Sequence, residues 1–238
     1  MKYTLLLNAL LLSSLLCQAQ FQVKQAIDSI NKLTLPEPKA PIYEDDKYIV
    51  RRTCSGEWGG TAWFKNKQTG IEYSFAATCP ISVNKIDSIY YVTSTLMHLV
   101  GFSSVVEIKD PNLMEVFVLP PARKIKGKRV RYAGETESGS MVGVVKLAES
   151  GQKVILGSFV YNGLLYHLMR GYKDVYVATI KDGELTKVLQ ISEDNINPTH
   201  IPFNRENELI VPIIMTDSQV NGYIKVVGNT ITVVKTKV

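Results

Sequence analysis

Val154-Ile-Leu-Gly-Ser-Phe, Leu164-Leu-Tyr-His-Leu-Met, Val175-Tyr-Val-Ala-Thr-Ile and Glu184-Leu-Thr-Lys-Val-Leu follow one another in the second half of the chain, the last two joined by Lys181-Asp-Gly. Runs of six residues rich in β-branched and aromatic side chains, punctuated by Gly, Asn and Asp, read as strands of an antiparallel meander. The plan recurs. Tyr48-Ile-Val-Arg-Arg-Thr, Thr61-Ala-Trp-Phe and Ile71-Glu-Tyr-Ser-Phe form one further unit. Ile89-Tyr-Tyr-Val-Thr-Ser, Phe102-Ser-Ser-Val-Val-Glu-Ile and Leu113-Met-Glu-Val-Phe-Val form another. Leu209-Ile-Val-Pro-Ile-Ile-Met, Gly222-Tyr-Ile-Lys-Val-Val and Thr230-Ile-Thr-Val-Val form the last.

The units begin at 48, 89, 164 and 209, spaced 41, 75 and 45 residues apart. The long interval leaves room for one degenerate unit over 122–151, with strands at Arg129-Val-Arg-Tyr-Ala and Ser140-Met-Val-Gly-Val-Val-Lys-Leu. A further short strand precedes most units, as at Pro80-Ile-Ser-Val-Asn. Four strands in roughly 40 residues is the period of a β-propeller blade. Residues 47–238 are therefore expected to be an all-β, five-bladed propeller with one degenerate blade. The terminal strand would lie outermost, the ring closed by 41–43. A large antiparallel β-sandwich is the alternative. Neither a Trp-Asp repeat nor a regular aspartate box marks a particular propeller class.

Upstream, Lys2, the uncharged run Leu5–Leu16 and the small residues of Cys17-Gln-Ala19 have the three parts of a secretory signal peptide, 1–19. The apolar run is too short to span a bilayer. Cys17 leaves lipidation as a minor alternative, and Leu16 is a poor residue for the position before a lipidated cysteine. In 20–46, the three-and-four spacing of Val23, Ala26, Ile27, Ile30 and Leu33 predicts an amphipathic helix, ended by a linker with Pro36, Pro38 and Pro41. Export would leave Cys54 and Cys79 as a pair, expected to form a disulfide. Closing that loop stabilises by about 3 kcal/mol.

Composition narrows the chemistry. The 238 residues are 45% hydrophobic and 21% charged, which suits a packed globular chain rather than a disordered one. A net charge of +5 is too mild to demand a nucleic-acid partner. His98, His167 and His200 lack the short spacings of a local metal site, and His167, mid-strand, reads as an interior hydrogen-bonded histidine. Neither a cofactor nor a metal is expected. Glu57, Asp87, Asp110, Asp174 and Asp182 are the carboxylates that a channel hydrolase would gather. Asp110 and Asp182 fall in turns that favour Asp for its backbone bonds. Gly139-Ser-Met-Val-Gly143 puts its serine one place too early for a nucleophile elbow and reads as a turn.

Two binding candidates remain. Arg52, Glu57 and Trp58 flank Cys54 in a glycine-rich stretch, where Trp58 would stack on a sugar or an apolar partner; Trp63, within a strand, is expected to be the more buried tryptophan. Arg123, Lys124, Lys126, Lys128, Arg129 and Arg131 put six cations into nine residues, suited to an anionic glycan, lipopolysaccharide or acidic protein face. The expectation is a secreted or periplasmic non-catalytic module that binds a protein or glycan through one rim, with membrane contact only through a lipidated Cys17. The alternative is an extracytoplasmic, carbohydrate-active hydrolase with carboxylates in a central channel.

Overall fold

The computed structural model describes residues 21–28, 33–55, 59–97, 101–131, 133–216 and 220–236. The expected signal peptide, Glu57, Trp58 and His98 lie outside these residues. In chain order, β1 (Gln22–Asp28) is followed by β2 (Tyr43–Glu44), β3 (Tyr48–Arg52), β4 (Thr61–Asn66) and β5 (Glu72–Ala76), the last four an antiparallel meander and the first sheet. Next, β6 (Pro80–Ile86), β7 (Ile89–Leu96) and β8 (Phe102–Ile108) build the second sheet. A 3-10 turn at Pro111–Leu113, capped by the Asp110 side chain, leads into β9 (Glu115–Val116).

Here the chain departs from the expected repeat. β9 pairs with β5 and returns to the first sheet, where Phe117 meets Trp63 edge-to-face at 6.0 Å. Trp63 is thereby half-buried on the outer side of that sheet. The hairpin β10 (Arg123–Ile125) and β11 (Lys128–Val130) forms a two-stranded sheet of its own. After a 3-10 segment at Ala133–Thr136, β12 (Val145–Ser150) takes the edge of the second sheet beside β8. The stretch 122–151 is therefore an exchange segment between two sheets, not a fifth sheet. Its cations and glycines leave too few apolar side chains for a core of its own.

The third sheet follows the meander quoted first: β13 (Val154–Tyr161), β14 (Leu164–Arg170), β15 (Val175–Lys181) and β16 (Glu184–Ser192). Two of its three hairpins turn on Asn162-Gly163 and Asp182-Gly183, all four residues at positive φ, as mirror-image turns between twisted strands require. The fourth sheet contains β17 (Ile196–Pro198), β18 (Phe203–Arg205), β19 (Glu208–Met215), β20 (Val220–Val227) and β21 (Thr230–Thr236).

β1 completes the fourth sheet, pairing parallel with β21 over its full length. The expected helix is thus corrected to a strand over 22–28. An isolated helix of this length is marginal in water, and the edge of β21 offers seven residues of backbone pairing instead. Phe21 anchors the strand, 8% exposed among the rings of Phe159, Tyr161 and Tyr166. β21 is accordingly not outermost, and 43–44 pairs with β3 rather than with the end of the chain. Within 20–46, β1 belongs to the fourth sheet and β2 to the first, and Pro36, Pro38 and Pro41 lie in neither.

The molecule is all-β, with its antiparallel sheets packed face to face in chain order. One apolar cluster lies between the first and second sheets around Val50, Phe64, Val92 and Ile108. A second lies between the second and third, around Val105, Ile155 and Met169, and a third between the third and fourth, around Leu168, Val211 and Ile224. Buried on both faces, the second and third sheets read as nearly continuous apolar runs, which is why their strands stand out in the sequence. Stacking of this kind is compatible with the sandwich alternative.

Candidate functional site

β6 and β13, an edge strand of the second and third sheets, share an irregularity near their starts. The register of β6 on β7 skips Ile81, and that of β13 on β14 skips Leu156. Such bulges re-aim a side chain and interrupt the ladder. The polar groups around the second bulge find partners across the sheet interface: the Thr95 hydroxyl donates to the Ile155 carbonyl at 2.9 Å, and the Ile155 N–H donates to Ser103 Oγ at 2.9 Å.

Ile81 and Leu156 line one cavity of about 440 Å³. All four sheets reach it. Arg52 and Cys54 come from the end of β3, Leu96 and Met97 from the end of β7, and Pro198, His200, Ile201 and Pro202 from the link between β17 and β18. The Cys54–Cys79 disulfide expected from sequence is present on its wall, joining the first sheet to the second. Arg52 is the cavity's charged residue among the described ones. Its Nη1 donates to the Pro80 carbonyl at 2.6 Å, and burial lowers its pKa below the ordinary guanidinium value. Among the described residues, no carboxylate lines this cavity.

The carboxylates are elsewhere. Asp46, Asp87 and Asp110 lie in a polar groove of about 590 Å³ between the first and second sheets, at the opposite strand ends, together with Lys85 and Lys109. Asp87 holds a positive φ of 55° in the β6–β7 turn, and Asp110 accepts the Asn112 N–H at 2.9 Å as a cap. Both have the turn roles that Asp commonly fills. Asp182 turns the β15–β16 hairpin, and Asp174 pairs with Lys187 at 2.8 Å.

Beside this groove Asp45 organises a cluster that sequence gave no reason to single out. Its carboxylate accepts the N–H groups of Lys47 and Tyr48 at 2.8 Å, Lys85 Nζ at 2.7 Å and the Tyr90 hydroxyl at 2.7 Å. Burial alone would raise its pKa, but these donors override it and hold the carboxyl well below the usual range. Burial, then the hydrogen bond to Asp45, pushes the Tyr90 phenol above its ordinary value.

His167 is fully buried, as its mid-strand position suggested. Its Nδ1 lies 2.7 Å from Ser158 Oγ, which lies 2.8 Å from Thr93 Oγ1, a polar thread between the third and second sheets. Desolvation pushes its pKa down to about 3. We assign the proton to Nδ1, since Nε2 is buried with no hydrogen-bond partner among the described residues and a bare lone pair there costs less than an orphaned N–H. Sealed from solvent, this Ser–His contact holds the core together. Ser140 likewise accepts the Val142 N–H in a turn and leads into a strand, not a helix.

The cationic run forms the β10–β11 hairpin. Residues 123–129 are all exposed, Arg123 pairs with Glu135 at 2.7 Å, and Arg131 has a buried Nη1 without a hydrogen-bond partner among the described residues. The two sequence candidates are therefore separate: Arg52 and the disulfide line the cavity, and the cations stand outside it. Ile81, Leu156, His200 and Ile201 were not proposed as binding residues. Their one signal was local, three consecutive apolar residues opening β13 and a proline on either side of Thr199–Ile201.

No group of three or more potential metal ligands occurs among the described residues, and no helix there is long and apolar enough to cross a membrane. No protein-family profile matches the chain, and neither the curated proteins nor the solved structures yield a match.

Proposed function

We propose that this protein is an exported binding module whose four stacked sheets act as the blades of a propeller, and that a protein partner inserts an apolar side chain into the cavity they share. The observation that carries the reading is convergence: an apolar cavity lined from all four sheets, with a half-buried Arg52 at its wall. The recurrence of a bulge at Ile81 and at Leu156 supports equivalent units in the second and third sheets. Apolar walls suit a hydrophobic anchor next to an acidic or carbonyl group better than a glycan, which needs more polar partners. The disulfide supports an oxidising, extracytoplasmic compartment.

The hydrolase reading rests on the Asp46–Asp87–Asp110 groove. The turn and cap roles of Asp87 and Asp110 weigh against it.

Selection from a random-peptide display library tests the proposal. Captured peptides should share an apolar residue beside an acidic one, and Met97→Trp, at the half-exposed lip, should weaken their binding at least about tenfold, or 1.4 kcal/mol. Equal binding by wild type and Met97→Trp would overturn the cavity as the site.

A further inference from the structure

The large apolar side chains that face solvent are unevenly distributed. Eight of the eighteen among the described residues fall within 113–145, the segment that carries the basic hairpin. Val118 is 77% exposed, Leu113 64%, Val142 60%, Val145 53%, Leu119 50% and Ile125 42%.

These residues belong to one lobe on the outer edges of the first two sheets. Val118 and Pro120 share a shallow cleft with 137–140. Gly143, at φ 75°, lies close against the Leu113 backbone, where a Cβ would approach the carbonyl to 2.8 Å. Arg123 ties the hairpin to Glu135, and the Thr53 hydroxyl donates to Glu137 at 3.1 Å, fastening the lobe to the first sheet.

The hairpin has a charge problem of its own. Lys124 and Arg129 are cross-strand partners, so they project from the same face of a ribbon with no third strand. Like charges directly opposite one another destabilise a pair, and a lone two-stranded hairpin is marginal in water. Lys126 and Lys128 add to the same tip. By the same register Ile125 and Lys128 share the other face of the ribbon, so cations stand on both faces and none of residues 123–129 is covered.

We propose that this lobe is a docking surface for an anionic lipid membrane, with the cations among the headgroups and the apolar side chains at the acyl boundary. A membrane offers both halves of the match, negative charge and an apolar layer beneath it. An anionic polysaccharide would answer the cations and leave the six apolar residues in water. The lobe gives membrane contact through the folded chain itself, independent of Cys17 and of the cavity.

The test is co-sedimentation of the purified full chain, as its host processes it, with vesicles of phosphatidylglycerol and phosphatidylcholine against phosphatidylcholine alone. Binding to the anionic vesicles should be at least about tenfold tighter and should fall steeply between about 50 and about 300 mM salt. Each cation near such a surface is worth about fivefold, so Lys124→Ala with Arg129→Ala should weaken binding about 25-fold. Val118→Ser with Leu119→Ser should weaken it several-fold at constant salt. All four positions are exposed, so thermal midpoints should not fall. Equal binding of wild type and the Lys124/Arg129 variant to anionic vesicles, by whatever anchor, overturns the proposal. So does retention on dextran sulfate by a protein that ignores vesicles, which would assign the surface to a polysaccharide.

Discussion

His167, buried and neutral, and Asp45, half-buried and charged, each make this fold sensitive to acid. His167 is neutral in the folded protein, with its pKa pushed down to about 3, whereas an unfolded histidine titrates near 6.5. Between those values only the unfolded chain takes up the proton, so stability falls as pH falls through that window. The loss between pH 7 and pH 5 should be about 2 kcal/mol, by the linkage of one group. Urea unfolding at the two pH values checks this. In His167→Gln, destabilised at pH 7, that acid dependence should shrink to what the other groups supply. A variant with the full wild-type slope would show that His167 is not its source. Asp45 acts lower. Its depressed carboxyl pKa means that its stabilisation is complete above about pH 4, the unfolded value, and is lost as pH falls toward the folded one. Asp45→Asn should cost about 2 kcal/mol at pH 7, the scale for hydrogen bonds to a charged group, and should flatten the stability profile below pH 4. Thermal melts across pH 2–7 measure both effects.

Among the elements, β1 separates the two readings of the N-terminal segment most sharply. As a helix, 21–33 would bury Ile27 with Val23 and Ile30; as a strand it buries Phe21 and leaves Ile27 69% exposed. Phe21→Ala should therefore cost about 3 kcal/mol, the scale for truncating a buried phenylalanine, while Ile27→Ala should change stability by less than about 0.5 kcal/mol. Chemical denaturation of the two variants decides it, and the reverse order would restore the helix. The three-and-four spacing misled because periodicity records which faces are apolar and not which partner is on offer. The partner, β21, lies some two hundred residues away. The same non-local exchange explains β9: Leu113–Val118 reads as a full strand, of which the structure keeps Glu115–Val116 after a 3-10 turn that ends at Leu113, and no local feature says that it pairs with the sheet before its own. The third sheet was legible in full because each of its strands pairs with a sequence neighbour and its Asn-Gly and Asp-Gly turns fix the register.

At the scale of the whole molecule, the sequence showed the all-β class and the disulfide pair, each written in local pattern or simple counting. It overstated the number of large sheets, because 122–151 has the spacing of a unit without the apolar content of one. The cavity was largely hidden. Arg52 and the cysteines pointed to its wall, whereas Ile81, Leu156 and Ile201 are ordinary strand and loop residues until bulges and a proline-flanked link aim them at a common space. Convergence of distant sheet ends is a property of topology, and only the folded chain displays it.

The most direct test of binding at this convergence is an amide-resolved NMR titration of the protein with a captured peptide. The account predicts saturable shifts at Arg52, Cys79, Ile81, Leu96, Ile155, Leu156 and Ile201, drawn from three sheets and the β17–β18 link of the fourth at once. Shifts confined to Asp87 and Asp110 in the polar groove, with those cavity amides unmoved, would contradict it.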